Sequence, residues 1–487
     1  MNVLQVSAEI FPLLKTGGLA DVAGALPRAL SQAGCDVRVL LPGFPAITAG
    51  VSGTTSVGEI IAPWGERAQL LRGVADGVGA TAYLIDAPAL YGRAGNPYQD
   101  ENGQPYPDNL RRFALLGWAA ALLADGFDPE WRPAVVHSHD WHAGLAPAYL
   151  AHPRNIGQRR VASVHTVHNL AYQGVFAPEA FADLGLPPQA FGVEGIEFFG
   201  QISFMKAGLY YADRITTVSP TYAREIQTSE QGCGLEGLLG TRAGAITGIL
   251  NAVDPKVWNP AHDGAIAHHY DPRRCAGKAR CKAALQEECG LADRPDAPLF
   301  GVVSRLTEQK GLHLVLSGLP ELLARGGQLV VLGSGDADLE AALRARAAEQ
   351  PEAIAVRLGY DEAFAHRIFA GSDVTLVPSR FEPCGLTQMY GLKYGSLPLV
   401  HKVGGLADTV VDCTLEDLAD ERATGFVFDR FDAGGYSRAL RRAFALYARK
   451  SDWNAVRRRG MGQKFDWSQA AAQYVEVYRQ ALNGALA

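Results

Sequence analysis

LFGVVSRLTEQKGLHLVLSGLPELLARGGQLVVLGSGDADLEAALRARAAE, residues 299–349, repeats one rhythm twice. An apolar run, Leu299 to Val303, enters a polar loop and then a helical pattern from Leu312 to Arg325. A second run, Gln328 to Leu332, enters a Gly-rich turn and a second helix, Leu339 to Glu349. Strands covered on both faces read as continuous apolar runs, and their alternation with helices predicts a parallel, doubly wound α/β sheet. In the turn, Asp336-Ala-Asp338 has the form of a metal-binding DxD, but Asp336 stands where a helix N-cap is needed, and capping is the expected role.

The same rhythm extends in both directions. The further strands expected in the second half are Ala353 to Leu358, Asp373 to Val377, Leu397 to Val400 and Phe426 to Phe428. In the first half they are Val3 to Val6, Val37 to Leu41, Ala82 to Ile85, Ala134 to His137, Ala162 to Val167, Ile215 to Val218 and Ile246 to Leu250. The stretch from Asn251 to Pro298, rich in Pro, Asp and charge, interrupts the rhythm and marks a hinge. With 487 residues the chain exceeds one ordinary core. The expected division is therefore residues 1–250, residues 251–465 and a terminal segment, 466–487.

An internal echo supports two related halves: Lys15-Thr-Gly-Gly-Leu-Ala-Asp21 returns as Lys402-Val-Gly-Gly-Leu-Ala-Asp408, each after an expected strand. Open parallel sheets bind ligands beyond the carboxyl ends of their strands, where glycine admits close approach and helix N-termini favour anions. Two such loops point to one cleft lined from both sides.

Net charge is −6, from 45 basic and 51 acidic residues, which gives no general attraction to nucleic acid or an anionic membrane. Any phosphate must meet local cations. The opening MNVLQVSAEIF lacks the features of a secretory signal and no apolar run reaches membrane-spanning length, so a cytoplasmic location is expected. The seven cysteines show no CxxC, and Cys275, Cys281 and Cys289 are too loosely spaced for a zinc knuckle, so free thiols are expected. His137, His139 and His142 surround Asp140, but alternation along a strand and turn is expected to send the imidazoles in different directions, against a metal site.

KTGGLADV (Lys15 to Val22), HSHDWHAGLAP (His137 to Pro147), TVHNLAYQG (Thr166 to Gly174), VSRLTEQKG (Val303 to Gly311) and SRFEPCGLTQMYGLKYG (Ser379 to Gly395), taken together, resemble the glycogen and starch synthase family. The resemblance runs from the first strand to the terminal helix. It implies a GT-B fold, two Rossmann-like domains facing a deep cleft, with a final helix around Ser468 to Leu482 returning to the first domain. It implies retaining transfer of glucose from ADP-glucose to the non-reducing end of an α-1,4-glucan, with no cofactor and no metal. The hinge then implies that the domains close on the donor.

Such a transfer builds negative charge on the leaving phosphates and positive charge on the sugar, so it needs fixed cations and a dry site. Arg305 and Lys310 offer a fork and a point charge in one strand-to-helix loop, and the matching family residues hold the diphosphate. Glu382, at the rim in Arg380-Phe-Glu-Pro-Cys-Gly, matches the carboxylate proposed to stabilise charge at the anomeric carbon. Many related retaining enzymes carry a second Glu where this chain has Tyr390, so a pair of carboxylates of the kind used by retaining hydrolases is not available. A front-face displacement is expected, the phosphate helping to deprotonate the acceptor. The resemblance further places His168 at the donor glucose, Asp140 near the acceptor and Lys15 near the donor. It adds Gly17, Gly18, Asp21, Tyr98, Asn169, Asn251, Tyr360, Cys384, Gly385, Leu386 and Thr387 to the substrate-binding set. The chain departs from the family at Ala252, where Gly is usual, and at His165, where an apolar residue is usual.

Three other readings fit less well. A dinucleotide oxidoreductase needs a GxGxxG after the first strand, and Gly17-Gly18 is too sparse. A phosphorylase needs pyridoxal phosphate on a lysine. An inactive glucan-binding module has no use for Lys15, Arg305, Lys310 and Glu382 together. The choice of ADP over UDP is open at this level.

Overall fold

The computed structural model describes residues 1–152 and 160–486. They form two compact units, one of residues 1–251 and 467–487, the other of residues 252–466. The chain passes from one to the other at Asn251/Ala252 and back at Asp466/Trp467.

In the first unit the strands are β1 (Asn2–Val6), β2 (Asp36–Pro42), β3 (Val51–Ile61), β4 (Arg67–Ala75), β5 (Ala80–Asp86), β6 (Val135–His139) and β7 (Ala162–Val167). After them come the short strands β8 (Val175–Phe176), β9 (Glu197–Phe198) and β10 (Gln201–Ser203), and then β11 (Arg214–Thr217) and β12 (Ile246–Gly248). The main sheet runs β12-β11-β7-β6-β1-β2-β5-β4-β3, parallel except that β4 is antiparallel to both β5 and β3. The β8-β10-β9 trio forms a separate antiparallel sheet. Helix Asn109–Ala124 is buried on nearly every side, as its almost uninterrupted apolar sequence dictates. On a second core cluster, helix Gly18–Gln32 and the terminal helix Trp467–Leu486 pack together: Val22, Leu26, Tyr474 and Tyr478 meet Val3, Val135 and Val164.

In the second unit the strands are β13 (Leu299–Val303), β14 (Gln328–Gly333), β15 (Ile354–Leu358), β16 (Val374–Val377), β17 (Leu397–His401) and β18 (Phe426–Phe428). They form one wholly parallel sheet in the order β15-β14-β13-β16-β17-β18. The segment after Asn251 is fastened to this unit. Trp258 lies between the rings of His366 and Tyr390, 3.8 Å from each and nearly parallel to both. Asp263 takes hydrogen bonds from His366 (2.6 Å) and Tyr394 (2.5 Å). Lys282 forms a buried pair with Asp373 at 2.8 Å.

The ribbon β3–β4 was not expected from sequence. Its first strand is mostly exposed, so it carries no apolar run to read. The expected divergence of the His137 and His139 rings is also corrected. The strand runs on to His139 rather than stopping at His137, a period of two puts both on one face, and their centroids are 4.2 Å apart.

Candidate active site

Parallel sheets expose their strand carboxyl ends on one rim, and most candidate residues fall there. In the second unit, Arg305 follows β13, Tyr360 follows β15, the stretch from Ser379 to Thr387 follows β16, and the second Gly-Gly loop follows β17. Lys310 closes a short turn before helix Leu312–Ala324 and donates to Oε2 of Glu382 at 2.6 Å. The hydroxyl of Ser379 donates to the same oxygen at 2.8 Å. Lys310 and Glu382 keep only 18% and 10% of their side-chain surface, so this pair is largely shielded from water. Arg305 and Tyr360 are exposed, and the Tyr360 hydroxyl donates to Glu362.

The loop carrying Glu382 is held by its neighbours' backbone. Gly405 N donates to the carbonyls of Glu382 and Pro383, both at 3.1 Å. Gln388 donates to the carbonyls of Cys384 (3.0 Å) and Gly385 (2.7 Å) and to the Thr409 hydroxyl (3.1 Å). Gly404 has φ +44, and a Cβ there would stand 2.0 Å from the Glu382 carbonyl oxygen; one at Gly405 would stand 2.0 Å from that of Cys384. These two glycines are the condition for the loop lying where it does. Their counterparts differ: a Cβ at Gly17 or Gly18 would meet nothing within 4 Å. The repeated heptad thus presses on protein in one copy and faces open space in the other.

In the first unit, Glu9 organises the loop that carries Lys15. Its carboxylate accepts from Thr16 N at 2.6 Å, from the Thr16 hydroxyl at 2.5 Å and from the Tyr98 hydroxyl. Lys15 pairs with Asp21 at 2.8 Å. Tyr98 stacks on His142 with ring centroids 4.7 Å apart. Asp140, at φ 53, follows β6 and accepts from the backbone N–H of His168 (2.7 Å) and of Asn169 (3.4 Å). Burial pushes its carboxyl up to about 7, against the pull of those two N–H groups. Asn251 is buried at the end of this unit.

Burial holds His137, His139, His142, His165 and His168 far below the ordinary imidazole value, His139, His142 and His165 at about 3, so all five are neutral. Nδ1 of His139 lies 3.0 Å from Nε2 of His168, while Nε2 of His139 is buried without a partner. A stranded lone pair costs less than a stranded N–H, so His139 donates and the proton of His168 sits on Nδ1. His137 is structural, bound to Thr166 at 2.6 Å and to Tyr478 of the terminal helix at 2.8 Å. His165 is accommodated by a hydrogen bond with Ser138 at 2.8 Å and by Gly208, where a Cβ would come within 2.5 Å of its ring.

Asp336 caps helix Ala337–Glu349, accepting from the N–H of Asp338 (3.0 Å) and Leu339 (3.2 Å). Among the described residues no group of three or more His, Cys, Asp or Glu is placed to hold a metal ion, and no helix is long and apolar enough to cross a membrane. Glu9, Ser379 and Gln388 escaped the sequence reading: Glu9 is revealed by Tyr98, far along the chain, and Ser379 and Gln388 by how the loop folds back on its own near neighbours. Tyr390 has the structural task of stacking on Trp258.

Residues 2–241 match the family model described as a starch synthase catalytic domain, and residues 290–458 match that of glycosyl transferases group 1. Over 99% of both chains, the structure resembles the catalytic domain of starch synthase IV from Arabidopsis thaliana bound to ADP and acarbose, at 30% identity and a TM-score of 0.88. A sucrose-phosphate synthase from Thermosynechococcus elongatus, at 18% identity, shares the fold with a TM-score of 0.58 over 98% of both chains. The molecule is a glycosyltransferase enzyme of the GT-B type, mixed α/β with parallel sheets in two domains. It is 69% identical to a glycogen synthase of Variovorax paradoxus (strain S110) over 100% of both chains, and 60% identical to one of Leptothrix cholodnii over 99% of both. The chain belongs to the glycogen synthase family.

Proposed function

We propose that the chain transfers glucose, with retention, from ADP-glucose to the non-reducing end of an α-1,4-glucan and releases ADP. The observation that carries this reading is the shielded Lys310–Glu382 pair at a sheet rim, a cation and a carboxylate of the two kinds that the reaction's opposite charges require. The C1–phosphate bond breaks, the acceptor oxygen bonds to C1, and the acceptor proton leaves with the phosphate. In this reading Arg305 and Lys310 hold the diphosphate, and Lys15 approaches the donor. His168 offers Nδ1–H to a sugar hydroxyl, Glu382 faces the anomeric charge, and Asp140 with Tyr98 meets the acceptor. Gly17, Gly18, Asp21, Asn169, Asn251, Tyr360, Cys384, Gly385, Leu386 and Thr387 complete the substrate-binding set. No cofactor or metal enters the scheme. Seven free cysteines fit a reducing, cytoplasmic setting.

Incorporation of labelled glucose into glycogen from ADP-glucose and UDP-glucose, with and without EDTA, tests the donor and the metal independence. Glu382→Ala should lower kcat by roughly a hundredfold or more in a folded protein. Arg305→Ala and Lys310→Ala should each cost about 3 kcal/mol of transition-state stabilisation, visible in kcat as well as KM. Lys310→Arg should also be impaired. Turnover restored after EDTA by a divalent ion overturns the metal-free scheme, and a folded Glu382→Ala variant with normal kcat removes that residue from it.

A further inference from the structure

Residues 92–108 run between helix Pro88–Tyr91 and helix Asn109–Ala124 with most of their side chains exposed, so apolar burial does little to fix their path. Tyr98 sits in this stretch, and its hold comes from the start of the second helix. There Asn109, Arg112 and Phe113, spaced i, i+3 and i+4, share one face. Asn109 Nδ2 donates to the Tyr98 carbonyl oxygen at 2.9 Å, alongside a longer bond from the Tyr106 N–H at 3.3 Å. Arg112 is 1% exposed, and its guanidinium donates to the carbonyl oxygens of Leu90 (2.8 Å) and Pro97 (3.0 Å) and to Oδ1 of Asn109 (2.6 Å). The Phe113 ring lies 5.9 Å from that of Tyr98. A buried charge is costly unless its donors are used. Here the planar fork uses them on two separate backbone points and on the amide that holds Tyr98.

We propose that Arg112 and Asn109 are positioning residues for Tyr98: together they fix the carbonyls of Pro97 and Tyr98 and so aim the phenol at the acceptor. With its backbone fixed, the Tyr98 ring stacks on His142 at 4.7 Å and its hydroxyl reaches the Glu9 carboxylate, which also takes the N–H and hydroxyl of Thr16. One end of Tyr98 is therefore held by the helix and the other by the loop that carries Lys15. Tyr106 completes the anchor. Its ring centroid lies 4.3 Å from the Arg112 guanidinium and 5.5 Å from that of Arg93, which pairs with Asp108 at 2.6 Å, and its hydroxyl donates to the Ala94 carbonyl. Removing the Asn109 amide takes the nearer donor from the Tyr98 carbonyl and lets the ring shift on His142. Such a shift weakens the acceptor more than the donor, because Tyr98 meets the acceptor in the scheme above.

The inference rests on the reading of Tyr98 given above, and its test has an arm independent of turnover. Asn109→Asp keeps an oxygen for Arg112 but has no N–H for the Tyr98 carbonyl, so the buried cation stays satisfied while the tyrosine is released. Its KM for maltoheptaose should rise about tenfold, with kcat and the KM for ADP-glucose within about threefold of the wild type. Arg112→Lys, a point charge in place of a fork, should raise the same KM at least as much. Added to Tyr98→Ala, Asn109→Asp should change the KM for maltoheptaose by less than about twofold, because the residue it positions is gone. A normal KM for maltoheptaose in folded Asn109→Asp overturns the proposal, as does a full further rise in the double variant. Fluorine NMR of the full-length protein carrying 3-fluorotyrosine, with Tyr98→Phe to identify the signal, should show the Tyr98 line displaced by Asn109→Asp; an unmoved line also overturns it. Should Tyr98→Ala leave the KM for maltoheptaose normal, the acceptor reading of Tyr98 fails, while the fluorine signal still decides whether Asn109 and Arg112 hold the ring.

Discussion

Asp140 combines a strained backbone with a perturbed proton. Its φ of 53 turns the carboxylate back to take the N–H groups of His168 and Asn169, and burial raises its proton affinity until it titrates at about 7. Because its folded value lies above the unfolded one, the native state holds a proton that the unfolded chain has released, so stability declines as pH rises from about 4 to 7. Asp140→Asn keeps an oxygen for the two N–H groups and removes the buried charge. Its melting temperature should exceed the wild type's by more at pH 8 than at pH 5, with an upper bound of about 4 kcal/mol for the pH-dependent part. Equal gains at both pH values, measured by thermal melts, would contradict this account.

Among the elements, the two Gly-Gly loops make opposite demands. Gly404→Ala must place a methyl 2.0 Å from a backbone carbonyl at positive φ, so the Glu382 loop has to move. We expect a loss of more than about 3 kcal/mol in unfolding free energy and a collapse of kcat. Gly17→Ala adds a methyl into open space at an extended φ of −158. Its stability should stay within about 0.5 kcal/mol of the wild type, any defect appearing in KM or kcat. Urea unfolding of both variants decides the matter; similar stabilities would mean that the heptads do the same work.

At the scale of the whole molecule, five neutral buried imidazoles lie in the first unit. Groups held below their unfolded value contribute stability that is complete above about pH 6.5 and is lost as pH falls towards 3. In the second unit the buried His366 instead has a carboxylate partner, Asp263, at 2.6 Å. Acidification from pH 7 to 4 should therefore unfold the first unit before the second. Hydrogen exchange read by mass spectrometry at stepped pH will show protection lost first in β6 and β7. Loss starting in β13 and β14 would refute the assignment.

The parallel sheets were legible because strands buried on both faces must be apolar throughout: Ala162 to Val167, Leu299 to Val303 and Phe426 to Phe428 appear in the fold with the bounds read from sequence. The ribbon of residues 51–75 was not, because one exposed strand leaves little pattern to read. Cap chemistry is local, so Asp336 was assigned to its helix from a few neighbouring residues. Along the chain, the candidate residues could be named one by one, but not their partnerships. Glu9 under Tyr98, His401 against the Ser379 carbonyl and His139 against His168 are contacts between residues that sequence order separates. The two heptads read alike, yet only backbone approach distinguishes the glycines that support a carboxylate from those that leave space. Sequence determined the alternation of elements and the chemical kinds at the rims, since periodicity and composition act locally; tertiary structure alone decided burial and hydrogen-bond partners, and with them the protons on the five buried imidazoles of the first unit and on Asp140.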